Sequence, residues 1–213
     1  MFRRPTVLLV PLASFLACGS ASAFPTFLVA NPDNAHENPP TTPTLTNGQS
    51  RPLAFGHFDF VLNDAQTQMT MTGTVTNLDF TGSQTPDTND NVTNAHIHAG
   101  PGVSPTTNGS VVWGFIGSPQ NDNNPADVVV TPFPAPGVGA TITAKWDQPE
   151  GNGTTLTAQL TNILTQHSYI NFHTNQFTGG EIRDILVVVP EPSSMALLGL
   201  GTLVLAARRR RLD

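Results

Sequence analysis

Three histidines carry the clearest chemical signal in this sequence. The stretch NAHIHAG at 94–100 sets His96 and His98 two residues apart, and the later stretch SYINFHT contains His173. Residues two apart in an extended chain project from the same face, so His96 and His98 share one face of a strand. Three neutral imidazoles form a ligand set that suits zinc or copper. We therefore predict that His96, His98 and His173 converge on a zinc or copper site.

A second interpretation of the histidines needs no metal. An H-x-H pair also occurs in ordinary half-buried strands, where the rings hydrogen-bond the backbone of loops above the sheet. If the metal site does form, Glu181 is a candidate to orient a ligand histidine or to supply a fourth ligand. His36 and His57 are predicted to lie outside the site.

The elements that must position these side chains are predicted to be short strands. Apolar or Thr-rich runs alternate with clusters of Gly, Pro, Asn and Asp, a pattern typical of all-β domains. The predicted strands are 54–62, 66–78, 94–98, 110–116, 127–130, 140–146, 154–164, 168–174 and 181–189. The segments 31–51, 82–91 and 118–125 are predicted surface loops, and Asn63-Asp64 predicts a hairpin. The expected fold is all-β, a single Greek-key β-sandwich or barrel-like domain.

Residues 24–189 are predicted to form this one domain, with a marked excess of acidic groups. The segment contains three basic residues against thirteen acidic ones, so its formal charge is −10. Such a surface repels nucleic acid, which we exclude as a partner. The single cysteine, Cys18, precedes the domain, so we predict no disulfide within it. Packing, strand pairing or a bound metal must stabilise the fold.

The first 23 residues have the features of a secretory signal peptide. Arg3 and Arg4 precede an apolar run at 7–17, and the small residues of 21–23 (Ala-Ser-Ala) form a cleavage site. A lipoprotein signal that ends at Cys18 is the alternative, although the residues before it fit that pattern poorly. Either signal predicts export of the chain.

The last segment, 190–213, has three parts in a fixed order. A Pro-Glu-Pro triplet precedes an apolar stretch and a run of arginines; the residues concerned are Pro190, Glu191, Pro192, Arg208, Arg209, Arg210 and Arg211. This arrangement resembles the PEP-CTERM sorting signal of Gram-negative bacteria. The resemblance implies an exported protein, processing by an exosortase-type enzyme, and transient membrane association through an apolar transmembrane helix. A permanent anchor is the alternative.

The domain itself resembles the CHRD family, named from chordin and common in exported microbial proteins. The matching marks are Glu37 with Pro39 and Pro40, the His96-Ile97-His98 triplet, and Tyr169, Asn171, His173, Thr174, Gly180, Glu181, Ile182 and Arg183. The sequence departs from the family pattern at Thr178-Gly179 and at Asp184-Ile185. The resemblance implies a β-rich extracellular module without a firmly assigned activity.

These observations predict a binding or structural protein of the cell envelope or extracellular matrix. Extracellular polysaccharide or another surface protein is the expected partner. The alternative is a metal-dependent redox or hydrolytic enzyme that uses copper or zinc held by the three histidines. No catalytic residue is predicted, since the chain lacks a nucleophile elbow, a phosphate-binding loop and a zinc-protease motif. Glu181 and Arg183 alternate with Ile182, so we expect them to share a face and to pair or to anchor the Glu37 loop.

Overall fold

The computed structural model describes residues 25–190, which form a sandwich of two antiparallel sheets. The strands are β1 (Thr26–Ala30), β2 (Phe55–Leu62), β3 (Gln68–Thr76), β4 (Val92–Ala99), β5 (Ser110–Ile116), β6 (Val129–Pro132), β7 (Gly139–Asp147), β8 (Ser168–Thr174), β9 (Ile182–Ile185) and β10 (Val187–Val189). One helix, α1 (Leu156–Leu164), precedes β8. The predicted all-β sandwich is confirmed.

The six-stranded sheet has the order β10-β1-β2-β3-β7-β6, and the four-stranded sheet has the order β5-β4-β8-β9. The predicted hairpin at Asn63-Asp64 joins β2 to β3 in an uninterrupted antiparallel register. Consecutive strands β9 and β10 belong to different sheets, and the buried Leu186 between them marks the crossing. This connection ties the four-stranded sheet to the edge of the six-stranded one.

Alternating apolar residues of both sheets fill the space between them. Phe58 of β2 stacks on Phe172 of β8, with ring centroids 5.5 Å apart, and Trp113 of β5 stacks on Trp146 of β7 at the same centroid distance. Gly73 of β3 lies opposite Phe58, and a Cβ there would come within 2.3 Å of the Phe58 ring. These aromatic contacts cross the sandwich and fix the two sheets against each other.

The prediction of a strand at 154–164 is wrong, because most of this segment is helix α1. Alternating threonines and apolar residues at its start resemble a strand. Leu156 and Ile163, however, lie two turns apart on one helical face, and both are buried. Thr155 caps the helix, since its hydroxyl accepts the N–H of Ala158. The cap and the longer apolar spacing outweigh the β-propensity of the threonines.

Three further differences concern segments near the chain ends and the first long loop. Strand β1 was not predicted, and the predicted strand 181–189 is divided into β9 and β10. The segment 31–51 is not simply a surface loop, because Asn34, Glu37 and Arg51 within it are buried. This loop covers polar side chains of the four-stranded sheet, and this contact brings it over the site described below.

Within residues 25–190, no helix has the length and apolar character needed to cross a bilayer. The predicted signal peptide, 1–23, lies outside the described residues. The same holds for the sorting segment beyond Pro190, including Glu191, Pro192, the predicted apolar helix and the four arginines 208–211.

Candidate metal centre

Neighbouring strands β4 and β8 carry all three histidines of the predicted site. Ile97 and Phe172 project into the core, so the residues beside them project from the opposite, outer face of the four-stranded sheet. His96, His98 and His173 lie on this outer face. All three are nevertheless buried, because loops cover them. The alternation seen in the sequence therefore places the rings on one side of one sheet.

The register of the two strands brings the histidines into contact. His96 lies opposite Asn171, so His173 is its diagonal neighbour, two residues further along β8. The Nδ1 atom of His96 is 3.2 Å from Nε2 of His173. His98 joins them, and each of the three rings offers a nitrogen within 4.8 Å of the other two. An ion bound by all three rings would lie about 2.0–2.1 Å from each nitrogen.

Each ring directs its other nitrogen to a backbone carbonyl from a different loop. The pairs are His96 Nε2 with Ser118 at 3.1 Å, His98 Nδ1 with Gly109 at 3.0 Å, and His173 Nδ1 with Thr178 at 3.0 Å. A carbonyl only accepts, so we assign the ring proton to these nitrogens. The remaining nitrogens then present lone pairs toward the cluster, and Nε2 of His98 is buried without a protein partner. Metal-binding histidines are oriented in this manner.

Burial keeps all three rings neutral. It lowers the pKa of His96 from 6.5 to about 4, with the neighbouring His173 as the second cause. Burial likewise lowers the pKa of His98 to about 4, against an opposing hydrogen bond to Gly109. The pKa of His173 is also lowered by burial. Each ring therefore carries one proton and no charge at neutral pH, the state in which imidazole binds a metal.

Gly114 allows the loop after β5 to close over His96. A Cβ at this position would lie 1.8 Å from the Pro119 carbonyl oxygen and 3.1 Å from Cδ2 of His96. Any larger residue would push the loop away, together with the Ser118 carbonyl that orients the His96 ring. The glycine is thus a positioning residue for the cluster.

An aromatic ring and a buried cation flank the cluster beside His98. Tyr169 stacks on His98 with ring centroids 4.7 Å apart and an interplanar angle of 7°. The guanidinium of Arg183 lies 4.6 Å from the centre of the Tyr169 ring. Arg183 also donates to the carbonyls of His36, Ser104 and Pro105. Tyr169 and Arg183 therefore anchor two loops above the sheet, including the one that carries Glu37.

Glu37 and Asn171 form a polar contact next to the histidines. The Asn171 side chain donates to the Glu37 carboxylate at 3.0 Å, and its own oxygen Oδ1 is buried without a partner. Burial raises the pKa of Glu37, although its hydrogen bond to the Asn38 N–H opposes that effect. This contact holds the loop 31–51 against β8.

Glu181 anchors the loop that carries Glu37, which is one of the two roles expected for it, and it does not pair with Arg183. Its carboxylate contacts neither the histidines nor Arg183. It pairs instead with Arg51 at 2.5 Å and accepts the hydroxyl of Thr174 at 2.7 Å. Both charged side chains are almost inaccessible, at 2% exposure for Arg51 and 0% for Glu181. The Glu181 carboxylate is therefore paired with Arg51 and not with Arg183. Arg51 was not singled out in the sequence analysis.

The sequence did not predict two kinds of site residue, namely Arg51 and the residues whose carbonyls hold the rings. Arg51 gave a weak signal, because it is one of only three basic residues in 24–189 and is thus a candidate partner for a buried carboxylate. The carbonyls of Gly109, Ser118 and Thr178 gave none, since every residue has a carbonyl. His36 and His57 lie outside the cluster, with side chains 54% and 53% exposed.

Comparison with known families finds a match for two segments of the chain. The family described as CHRD domain matches residues 28–185, which include every strand that carries the cluster. The chain belongs to the CHRD family. A PEP-CTERM protein-sorting motif matches residues 188–211, directly after the CHRD domain. No curated protein and no solved structure matches the chain.

The two matches confirm the resemblances inferred from the sequence. The sorting motif indicates export to the cell envelope or surface of a Gram-negative bacterium, and it implies processing by an exosortase. The CHRD domain is then the part of the chain that acts outside the cytoplasm. Strand β10 pairs with β1, with Val189 opposite Phe27, so strand pairing continues up to the residue before Pro190.

Proposed function

We propose that this exported CHRD protein binds one transition-metal ion at the cell surface through His96, His98 and His173. The observation that carries the proposal is the convergence of three neutral imidazoles whose outer nitrogens are already held by carbonyls. Zinc and copper are the ions that suit such a donor set.

The unpartnered nitrogen of His98 is the strongest detail in support. A buried polar atom without a hydrogen bond costs on the order of 1–3 kcal/mol, so native folds rarely retain one without a reason. Nε2 of His98 is such an atom, and its ring belongs to the group of three whose nitrogens lie close enough to share one ion. Coordination of an ion would satisfy this nitrogen.

Binding is favoured over catalysis because the cluster is closed. His96, His98 and His173 are 4%, 8% and 6% exposed, so a substrate has little access to an ion held between them. A catalytic metal site needs an open coordination position that substrate or water can reach. The copper or zinc enzyme therefore ranks second to a metal-binding module.

Titration of zinc and copper into the metal-free exported protein tests this proposal. We expect one ion per chain, and a loss of affinity of at least about 100-fold in His98→Ala. His57→Ala is the matched control, because His57 is exposed and lies outside the cluster. Unchanged binding in His98→Ala would refute the site, as would equal losses in both variants.

For the surface partner, we propose extracellular polysaccharide or another surface protein, in contact with a groove beside Arg183. The groove has a volume of about 500 Å³, and its lining includes the polar groups of Glu37, Asn38, Gln166 and Asp184. Such groups can hydrogen-bond sugar hydroxyls or a peptide backbone. Sedimentation with purified exopolysaccharide, compared between the wild type and Gln166→Ala, measures this contact, and the absence of any difference would exclude the groove.

A further inference from the structure

The donor set of the cluster contains no negative charge. Within residues 25–190, the group of side chains close enough to share an ion consists of three histidines, without a carboxylate or a thiolate. An ion bound there keeps its full charge, since neutral imidazoles cannot cancel it. The free energy required to bury an ion grows steeply with its charge, so this site penalises a divalent ion far more than a monovalent one.

The charged groups around the cluster do not offset this penalty. Arg183 faces it from β9 across the Tyr169 ring, and its positive charge disfavours a second cation. Glu37 faces it from the first loop across Asn171, where it lies close enough to Arg183 for the two charges to interact. Glu181 is already paired with Arg51. The described surroundings therefore supply no free anion to balance a divalent ion.

Within residues 25–190, loops restrict the access of a fourth ligand to the cluster. Loop carbonyls at Gly109, Ser118 and Thr178 close over the three rings, which are nearly inaccessible to solvent. Cavities lie next to Arg183, next to Arg51 and next to Gly180, and none of these three is lined by a histidine of the cluster. Zinc with three protein ligands takes a water or substrate as its fourth. Imidazole also suits copper, and monovalent copper is stable with three nitrogen ligands.

We propose that the cluster is selective for monovalent copper, Cu(I), coordinated by His96, His98 and His173 alone. This inference rests on the proposed function and adds the identity and charge of the ion. Three features favour the ion with the lower charge and the fewer ligands: the buried neutral donor set, the nearby Arg183 guanidinium and the closed loops. Zinc and divalent copper each carry one more charge and require further ligands.

The test uses the exported protein, stripped of metal and reloaded without oxygen. Cu(I) is titrated against a chromophoric Cu(I) chelator, and Zn²⁺ against a zinc indicator at the same pH. We expect one Cu(I) per chain, an X-ray absorption spectrum with three nitrogens at about 2.0 Å, and a Zn²⁺ affinity lower by at least about 100-fold. Equal or tighter Zn²⁺ binding would overturn the selectivity, as would a copper centre that stays divalent in air with a stable paramagnetic signal.

A charge-changing variant sharpens this test. Asn94 lies opposite His173 on β4, and its side-chain oxygen accepts the Ser118 N–H at 2.8 Å. Asn94→Asp keeps that acceptor and adds one negative charge beside the cluster. We expect the ratio of Zn²⁺ to Cu(I) affinity to rise at least about 10-fold, because the added charge favours the divalent ion more.

Asn47→Asp is the matched control. Its side-chain oxygen also accepts a backbone N–H, from Gln49, but it lies in an exposed loop. The control should leave the affinity ratio unchanged, and an equal response in both variants would contradict the charge argument. Failure of both metals to bind the wild type would refute the proposed function itself. Binding of Zn²⁺ in preference to Cu(I) would refute only the selectivity.

Discussion

The two faces of the four-stranded sheet are both buried, but they achieve burial differently. The inner face presents Ile97, Ile170 and Phe172 to the other sheet, where packing alone stabilises them. The outer face presents histidines and Asn171, which are covered by loops and are hydrogen-bonded to those loops. Loss of side-chain volume therefore destabilises the inner face, whereas loss of a hydrogen-bond partner destabilises the outer face.

This difference assigns the two faces different tasks. An apolar face stabilises the fold without discriminating among ligands, whereas converging polar groups with fixed tautomers can recognise one chemical species. The loops that cover the outer face are held by Arg51 and Arg183, two of the three basic residues in 24–189. Substitutions on either side of the sheet therefore separate fold from function.

The largest contrast is expected between adjacent residues of β8. Phe172→Ala removes a ring that packs against Phe58 and Phe115, and it should lower the free energy of unfolding by about 3–5 kcal/mol. His173→Ala should cost less, about 1–2 kcal/mol, and should abolish metal binding. Urea unfolding followed by tryptophan fluorescence measures both. Equal destabilisation by the two variants would mean that the outer face is structural.

The buried pair between Arg51 and Glu181 provides the next test. Arg51→Ala leaves a carboxylate without its cation in an inaccessible position, so the free energy of unfolding should fall by about 3–5 kcal/mol. Lys145→Ala is the control, since its pairs with Asp127 and Asp147 are partly exposed and should contribute little to the free energy of unfolding. Comparable effects of the two variants in urea unfolding would mean that solvent reaches the Arg51 pair in the folded protein.

Acid should weaken the metal-free domain through its outer face. The unfolded chain protonates His96 and His98 near pH 6.5, while burial delays protonation in the folded protein to about pH 4. Falling pH across this window therefore favours the unfolded state, by at most roughly 3 kcal/mol for each ring and by less where solvent screens the charge. Glu37, whose pKa burial raises, acts in the opposite direction at the acidic end.

Unfolding free energies measured from pH 7.5 to pH 4 test this dependence. The double variant His96→Gln, His98→Gln should show a much flatter profile in the same window, because it lacks both groups. A wild-type profile that is equally flat would mean that the rings are protonated as readily in the folded protein as in the unfolded chain.

Metal should stabilise the wild type and leave a cluster variant unaffected. At a free ion concentration of about 100 times the dissociation constant, the free energy of unfolding should rise by about 2.7 kcal/mol. Thermal unfolding with and without Cu(I) measures the gain, and His173→Ala should show none. A gain of the same size in His173→Ala would assign the stabilisation to another site.

The smallest effect is expected from Tyr169→Phe. This change removes only the phenol oxygen, which accepts the Gly109 N–H at 3.3 Å, and keeps the ring that stacks on His98. The free energy of unfolding should fall by about 1 kcal/mol, with metal affinity nearly unchanged. A large loss of affinity would show that the phenol itself, and not the ring, orients His98.

Regular alternation made most of the sheet predictable. Strands β5 and β8 occupy the predicted residues, and β2, β3 and β7 are within two residues of the predicted ends. The helix α1 was not predicted, because its Thr-rich start favours a strand locally and only packing of Leu156 and Ile163 against the core decides otherwise. The short strand β1 depends on its pairing with β2 and β10, which lie far away in sequence.

The amino-acid sequence alone determined the sorting signal, the CHRD family, the all-β class and the common face of His96 and His98. Each of these depends on residue types at short, fixed spacings. The tertiary structure decided the approach of His173 and the pairing of Glu181 with Arg51. It also decided which carbonyls hold the rings. These contacts join residues up to 130 positions apart, and strand register and loop closure, which no local pattern encodes, bring them together.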